Sequence, residues 1–183
     1  TLFLDRDGVI NADSDAYIKT PAEWHPIPGS MEAIARLNQQ GYRVAIATNQ
    51  AGVARGLFTM DGLNAIHHKL HQTAQACGAH IDAIFFCPHA TEDNCDCRKP
   101  KTGLLRQLVA DTGLDLTSVP FIGDFSLLKA TAHRLTNVFD AGRPATSSRL
   151  MFLKVEGIAR RVVLACPSHL RLLTCCEWCS VAG

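Results

Sequence analysis

Two carboxylates two positions apart, Asp5 and Asp7 in "DRDG", follow the apolar run "LFL". An aspartate at a strand end, beside a divalent cation, can attack phosphorus and form an aspartyl-phosphate that water later hydrolyses. A second aspartate nearby can protonate the leaving oxygen and then deprotonate that water. Magnesium takes hard oxygen ligands, commonly one or two carboxylates plus substrate phosphate, and Asp5 with the distant Asp124 of "FIGD" could supply them. The other reading of "DRDG" is a polar turn. Thr48 and Asn49, in "ATNQ", can donate to a phosphoryl oxygen or simply cap a strand. Arg98 offers a planar fork for phosphate and Lys99 a point charge for in-line phosphoryl transfer, unless the two are only a solvated pair.

A second group of reactive side chains directly precedes those cations. Cys87, His89, Cys95 and Cys97 form a C-x-H…C-x-C set within eleven residues. Four such ligands match the type and number of a closed tetrahedral zinc site, and with no open position that zinc would be structural. Ordinary loop thiols are the alternative; a redox pair fits less well, because the spacing is not C-x-x-C. Ordered on a metal, this loop would hold Arg98 and Lys99 in place and lessen the entropy lost when an anion binds.

Alternating strands and helices must position these residues. "LFLD", "RVAIATNQ", "IDAIFFCP" and "VPFIGD" are short apolar runs ending in polar residues, as buried parallel strands do. Between them come helical patterns. "IPGSMEAIARLNQQGY" has Met31, Ile34 and Leu37 at helical spacing, Ser30 as N-cap and Gly41 as stop. A helix is predicted from about Met60 to Ala76, with Leu63, Ile66, Leu70 and Thr73 on one stripe, and another over "TGLLRQLVADTG". His67, His68 and His71 fall on the middle helix as surface or partly buried residues, with no acid to complete a metalloprotease pattern. The alternation predicts a parallel sheet with helices on both faces, its ligands bound beyond the carboxyl ends of the strands. There Asp5, Asp7, Thr48, Asn49, Cys87 and Asp124 converge.

In this order, "FLDRDGVIN", "ATNQ", "CRKP" and "FIGD" resemble the haloacid dehalogenase superfamily of aspartate-nucleophile phosphatases. More narrowly, "LDRDGVIN", "PGS", "ATNQAGVARG", "CPH…CDCRKP" and "GLL" are similar to its histidinol-phosphatase-like subgroup, and there to the phosphatases that remove the 7-phosphate of D-glycero-D-manno-heptose 1,7-bisphosphate. The resemblance runs from Leu2 to Asp124. It implies a Rossmannoid three-layer α/β fold around a central parallel sheet, with no separate cap domain and with a zinc-binding loop. It also implies Asp5 as nucleophile and Mg²⁺ ligand, and Asp7 as general acid/base reaching Mg²⁺ through its backbone carbonyl. Thr48 and Lys99 would hold the phosphoryl group, Asp124 would complete the Mg²⁺ ligands, and Cys87, His89, Cys95 and Cys97 would carry structural Zn²⁺. Arg98 would recognise substrate, with Asn49, Gln50 and, in the loop "ADSDAY", Asp13 as further contacts. Histidinol phosphate or another small ester is the alternative substrate.

The whole chain bounds these expectations. Its 183 residues suit one domain, 47% hydrophobic and 19% charged, with no apolar run long enough for a membrane span. It opens on "TLFLD" without Met; a missing or processed residue or two is expected there, and no leader is visible. Through Asp124 there are 10 Lys and Arg against 14 Asp and Glu, then 8 against 3. The acidic front half argues against a nucleic-acid surface. With 43 positions from Asp5 to Thr48 and 51 from Thr48 to Lys99, each interval already filled, no lid domain fits. A compact phosphosugar suits such a site, in a cytoplasmic and monomeric enzyme of heptose precursor synthesis for lipopolysaccharide or S-layer glycans.

After Asp124 the pattern departs. Leu128 stands where the family places a second acid and Phe125 where it often places a polar residue. "FSLLKATAHRLTNVFDAGRPATSSRL" shows no clear strand, "IARRVVLACPSHLRLL" fits strand or helix, and the end is the cysteine-rich "TCCEWCSVAG". A shifted reading frame or other gene lesion over 125–183 is the expectation, and a catalytically impaired binding protein is the functional alternative that follows from it.

Overall fold

The computed structural model describes residues 1–113 and 119–123, together with the backbone of three strands at 152–155, 162–166 and 169–173. The seven strands are β1 (Leu2–Leu4), β2 (Val44–Asn49), β3 (Ala83–Cys87), β4 (Phe121–Ile122), β5 (Phe152–Val155), β6 (Val162–Cys166) and β7 (His169–Leu173). They form one sheet in the order β3-β2-β1-β4-β5-β6-β7. β3, β2, β1, β4 and β5 run parallel, whereas β6 and β7 are antiparallel additions at the edge. The strand register sets Leu4 opposite Ile46 and Ile122.

Successive side chains of a strand face opposite sides of its sheet, and here that alternation separates two cores. Leu2, Leu4, Val44 and Ile46 pack with helices α1 (Ser30–Gln39) and α2 (Met60–Ala76), through Met31, Ile34, Ile66 and Leu70. Phe3, Ala45, Ala47 and Phe121 instead meet Leu105 and Leu108 of α3 (Gly103–Thr112). The three-layer α/β fold is therefore as expected, and among the described residues no separate lid stands between the strands.

The helix at Met60 has the expected span and is capped by Thr59, whose hydroxyl accepts from Gly62 N at 3.1 Å. α1 differs at its start. Gly29, at φ +87°, is the N-cap, while the Ser30 hydroxyl donates to Ile10 O at 2.8 Å and ties the helix to the first loop. Thr73 is half-buried, and the buried stripe of α2 runs through His67 and Ala74 as well as Leu63, Ile66 and Leu70. Backbone pairing also describes part of the tail, whereas residues 125–150, expected to hold no clear strand, lie outside the described residues. A strand parallel to β4 lies at Phe152–Val155, just past the segment judged strandless, and the ambiguous stretch after it supplies two antiparallel strands.

Candidate active site and metal-binding loop

Asp5 extends β1 by one residue, its N–H donating to Ile122 O at 2.8 Å. The chain then turns. Val9, Ile10 and Asn11 N–H all donate to Arg6 O, and Gly8 takes φ +76°, a backbone conformation that a side chain would oppose. The DRDG motif is thus a strand end followed by a tight turn, and this puts both carboxylates at the carboxyl edge of the sheet.

Lys99 meets Asp5 there. Its ammonium lies 2.5 Å from Asp5 Oδ2 and donates to Ala47 O at 2.7 Å. Both residues are buried. Burial raises the Asp5 carboxyl above its ordinary value and lowers the Lys99 ammonium, each only partly offset by the opposite charge of the other. The Asp5 carboxylate, at the strand end, is a hard oxygen donor of the kind that Mg²⁺ takes.

Thr48 and Asn49, at the end of the adjacent strand, are treated differently by the fold. Thr48 is buried with its hydroxyl 3.0 Å from Gln50 Nε2. Asn49 faces the backbone of Lys99: its Oδ1 accepts from Lys99 N at 2.9 Å and its Nδ2 donates to Lys99 O at 3.1 Å. The Asn49 amide is thus engaged by the protein. Gln50 is buried as well and donates to Asp7 Oδ2 at 2.8 Å.

Arg6, unremarked in the sequence, is 1% exposed and grips Asp7. Its Nε and Nη2 donate to Asp7 Oδ1 at 3.1 and 3.0 Å, and Nη2 also reaches Gln50 Oε1 at 3.0 Å. Nη1 lies 3.4 Å from His67 Nε2. Asn11 Nδ2 adds a bond to Asp7 Oδ1 at 2.9 Å. His67 is buried, and burial first, then the Arg6 charge, lower its pKa to about 4. Two signals could have exposed this group. Arg6 lies between two site carboxylates, and His67 shares the helical phase of Leu63, Ile66, Leu70 and Ala74.

The cysteine loop closes on one point. The ligand atoms of Cys87, His89, Cys95 and Cys97 lie within 4.8 Å of one another. Cys87 Sγ is 3.5 Å from Cys95 Sγ and 3.2 Å from Cys97 Sγ, and His89 Nδ1 is 3.6 Å from Cys87 Sγ. Zn–S near 2.3 Å and Zn–N near 2.1 Å give tetrahedral edges of about 3.6–3.8 Å, so the donor set fits a metal ion after slight expansion. Burial, with the neighbouring thiols, pushes the Cys87 thiol up to about 12. Arg98 Nη1 donates to His89 O at 3.2 Å, which fastens that guanidinium to the loop. Asp13 is exposed on the first loop, with its Oδ1 accepting from Ser14 N. Arg55 bridges the first loop and the cysteine loop, lying 5.8 Å from the Tyr17 ring centroid and 3.5 Å from Glu92. Asp124, Phe125 and Leu128 lie outside the described residues.

An aspartate-ended central strand, a facing lysine and a parallel Rossmannoid sheet define the haloacid dehalogenase class of phosphatase folds. The sequence family described as polynucleotide kinase 3 phosphatase matches residues 3–140. D-glycero-beta-D-manno-heptose-1,7-bisphosphate 7-phosphatase of Pseudomonas aeruginosa is 54% identical over 123 residues, 67% of this chain and 69% of that one. The Bordetella bronchiseptica protein of the same name is 52% identical over the same shares. The solved structure of D,D-heptose 1,7-bisphosphate phosphatase from B. bronchiseptica, complexed with magnesium and phosphate, is similar at a TM-score of 0.71 and 42% identity, over 86% of this chain and 93% of that one. The chain belongs to the family of D-glycero-beta-D-manno-heptose-1,7-bisphosphate 7-phosphatases.

Proposed function

We propose that this chain is a Mg²⁺-dependent phosphatase that removes the 7-phosphate of D-glycero-D-manno-heptose 1,7-bisphosphate, acting as a cytoplasmic monomer in heptose precursor synthesis for lipopolysaccharide. The observation that carries this reading is the buried Asp5–Lys99 contact at the carboxyl end of β1, one strand from the Thr48 hydroxyl. Asp5 Oδ attacks phosphorus, and the ester P–O bond breaks as Asp7 gives the leaving oxygen its proton. Asp7 then takes a proton from water as that water attacks the aspartyl-phosphate, which releases inorganic phosphate and regenerates Asp5. Lys99 turns from Asp5 to the phosphoryl oxygens, with Thr48 donating beside it. The Asp5 carboxylate, the Asp7 main-chain carbonyl and Asp124 would hold Mg²⁺, which would supply the positive charge needed for an anionic phosphoryl group to approach an anionic nucleophile.

Arg98 is the recognition residue, with Asp13 of the first loop as a further substrate contact. Gln50 and Asn49 serve the substrate through the side chains and backbone they hold. Zn²⁺ on Cys87, His89, Cys95 and Cys97 is structural and fixes the segment that carries Arg98 and Lys99. We read residues 1–183 as a single phosphatase domain whose segment after Asp124 departs from its relatives through a gene lesion.

The test is phosphate release from heptose 1,7-bisphosphate with and without Mg²⁺, beside Asp5→Asn. Turnover is expected only with Mg²⁺, and Asp5→Asn should abolish it while leaving zinc content unchanged. Full activity in Asp5→Asn would sink the proposal.

A further inference from the structure

Asp7 does not stand free. Arg6, Gln50 and Asn11 all donate to its carboxylate, and two of these three belong to its own turn. Gln50 comes from the end of β2 and donates from one amide nitrogen both to Asp7 Oδ2 at 2.8 Å and to the Thr48 hydroxyl at 3.0 Å. That nitrogen sets the distance between the carboxylate and the hydroxyl. Arg6 is 1% exposed, which is costly for a guanidinium unless its donors are used. Nε and Nη2 are directed at Asp7 and Gln50, and Nη1 faces His67 Nε2. An arginine can only donate, so His67 Nε2 is the acceptor, and the imidazole is neutral with its proton on Nδ1. The ring is held by the α2 stripe on which it lies and by Phe86, at 5.7 Å between centroids.

We propose that His67 is a positioning residue for the phosphatase reaction: it fixes the Arg6 fork, which with Gln50 aims the Asp7 carboxylate. This rests on the general acid/base role given to Asp7 under Proposed function. His67 is one residue removed from Asp7 and is not itself catalytic. The arrangement links helix α2 to the proton-transfer group across the sheet edge. Replacing His67 leaves Nη1 with no acceptor among the described contacts and lets the fork rotate. A carboxylate moved by about 1 Å loses on the order of tenfold or more in rate.

The experiment is a double-mutant cycle on heptose 1,7-bisphosphate turnover with excess Mg²⁺, with zinc content and melting temperature recorded for every variant. His67→Leu is expected to lower kcat about tenfold or more with KM within about twofold. His67→Gln, which returns an acceptor near the same point, should recover most of the loss. In an Asp7→Asn background, which keeps an acceptor for Arg6 but cannot carry a proton, His67→Leu should cost little further. A purely structural histidine would give the same loss in both backgrounds, and that result overturns the proposal. So does an unchanged kcat in His67→Leu, or failure of His67→Gln to restore it. The phosphatase reading fails separately, if the wild-type chain releases no phosphate in the presence of Mg²⁺.

Discussion

At the scale of single residues, one amide does as much to build the site as the charged groups around it. Asn49 accepts from Lys99 N and donates to Lys99 O, so the end of β2 clasps the backbone that carries the ammonium. Each such bond is worth about 0.5–1.5 kcal/mol net, and their direction matters more than their sum. Asn49→Ala is therefore expected to lower kcat by about tenfold, equivalent to 1.4 kcal/mol, with zinc content preserved. Steady-state kinetics checks this, and an unchanged kcat would mean that Ala47 O and Asp5 alone hold Lys99. The pairing "TNQ" was visible in the sequence as a possible phosphate contact. Its actual partner was not, because Asn49 and Lys99 lie fifty positions apart and only the fold brings them together.

At the scale of elements, the cysteine loop and α3 form one support. Gly103, at the start of α3, lies against the backbone of Asp96 and Cys97, and its N–H donates to Asp96 O at 3.0 Å. A methyl group there would collide with that carbonyl, so the loop seats directly on the helix. Lys101 reaches back to Asn94 O at 2.8 Å. With the loop fastened at both ends, a metal held by its four donors would set the position of Arg98 and Lys99. Removal of zinc by chelation, or Cys95→Ser, is expected to lower kcat/KM by about 10–100-fold, the range seen when metal-supporting groups are lost. Excess Mg²⁺ should not restore it. Elemental analysis and kinetics on the same sample give the answer; full activity without zinc would separate the loop from catalysis. The four candidate ligands were legible because they lie within eleven residues. The seat on Gly103 was not, because a glycine opening a helix looks like an ordinary weak start.

The whole molecule carries the consequence of burying His67. Folded, its pKa is about 4 against an ordinary 6.5, because burial and then the Arg6 charge disfavour the imidazolium. The unfolded chain takes up that proton first as pH falls, so this group lowers folding stability between pH 6.5 and about 4. Above pH 6.5 it has no effect. By pH 5 the loss from this residue is on the order of 2 kcal/mol. Denaturation midpoints at pH 7 and pH 5 should therefore differ more for the wild type than for His67→Leu. Equal differences in the two proteins would show that His67 is not held neutral. The sheet that carries this burden has β1 at the middle of its five parallel strands, and Phe3 and Leu4 anchor opposite cores from adjacent positions.

The sequence by itself determined the strand and helix order as far as Phe121, the strand ends that carry Asp5, Asp7 and Thr48, and the cluster of candidate metal donors from Cys87 to Cys97. Apolar periodicity and short ligand spacing are local properties, and local patterns survive in a one-dimensional string. Only the tertiary structure decided that Arg6 is buried against Asp7, that His67 closes its fork, that Asn49 faces Lys99 rather than open solvent, and that the chain past residue 150 adds strands beside β4. Each of these depends on which side chain meets which across distant turns. That is set by the direction of packing, not by residue type.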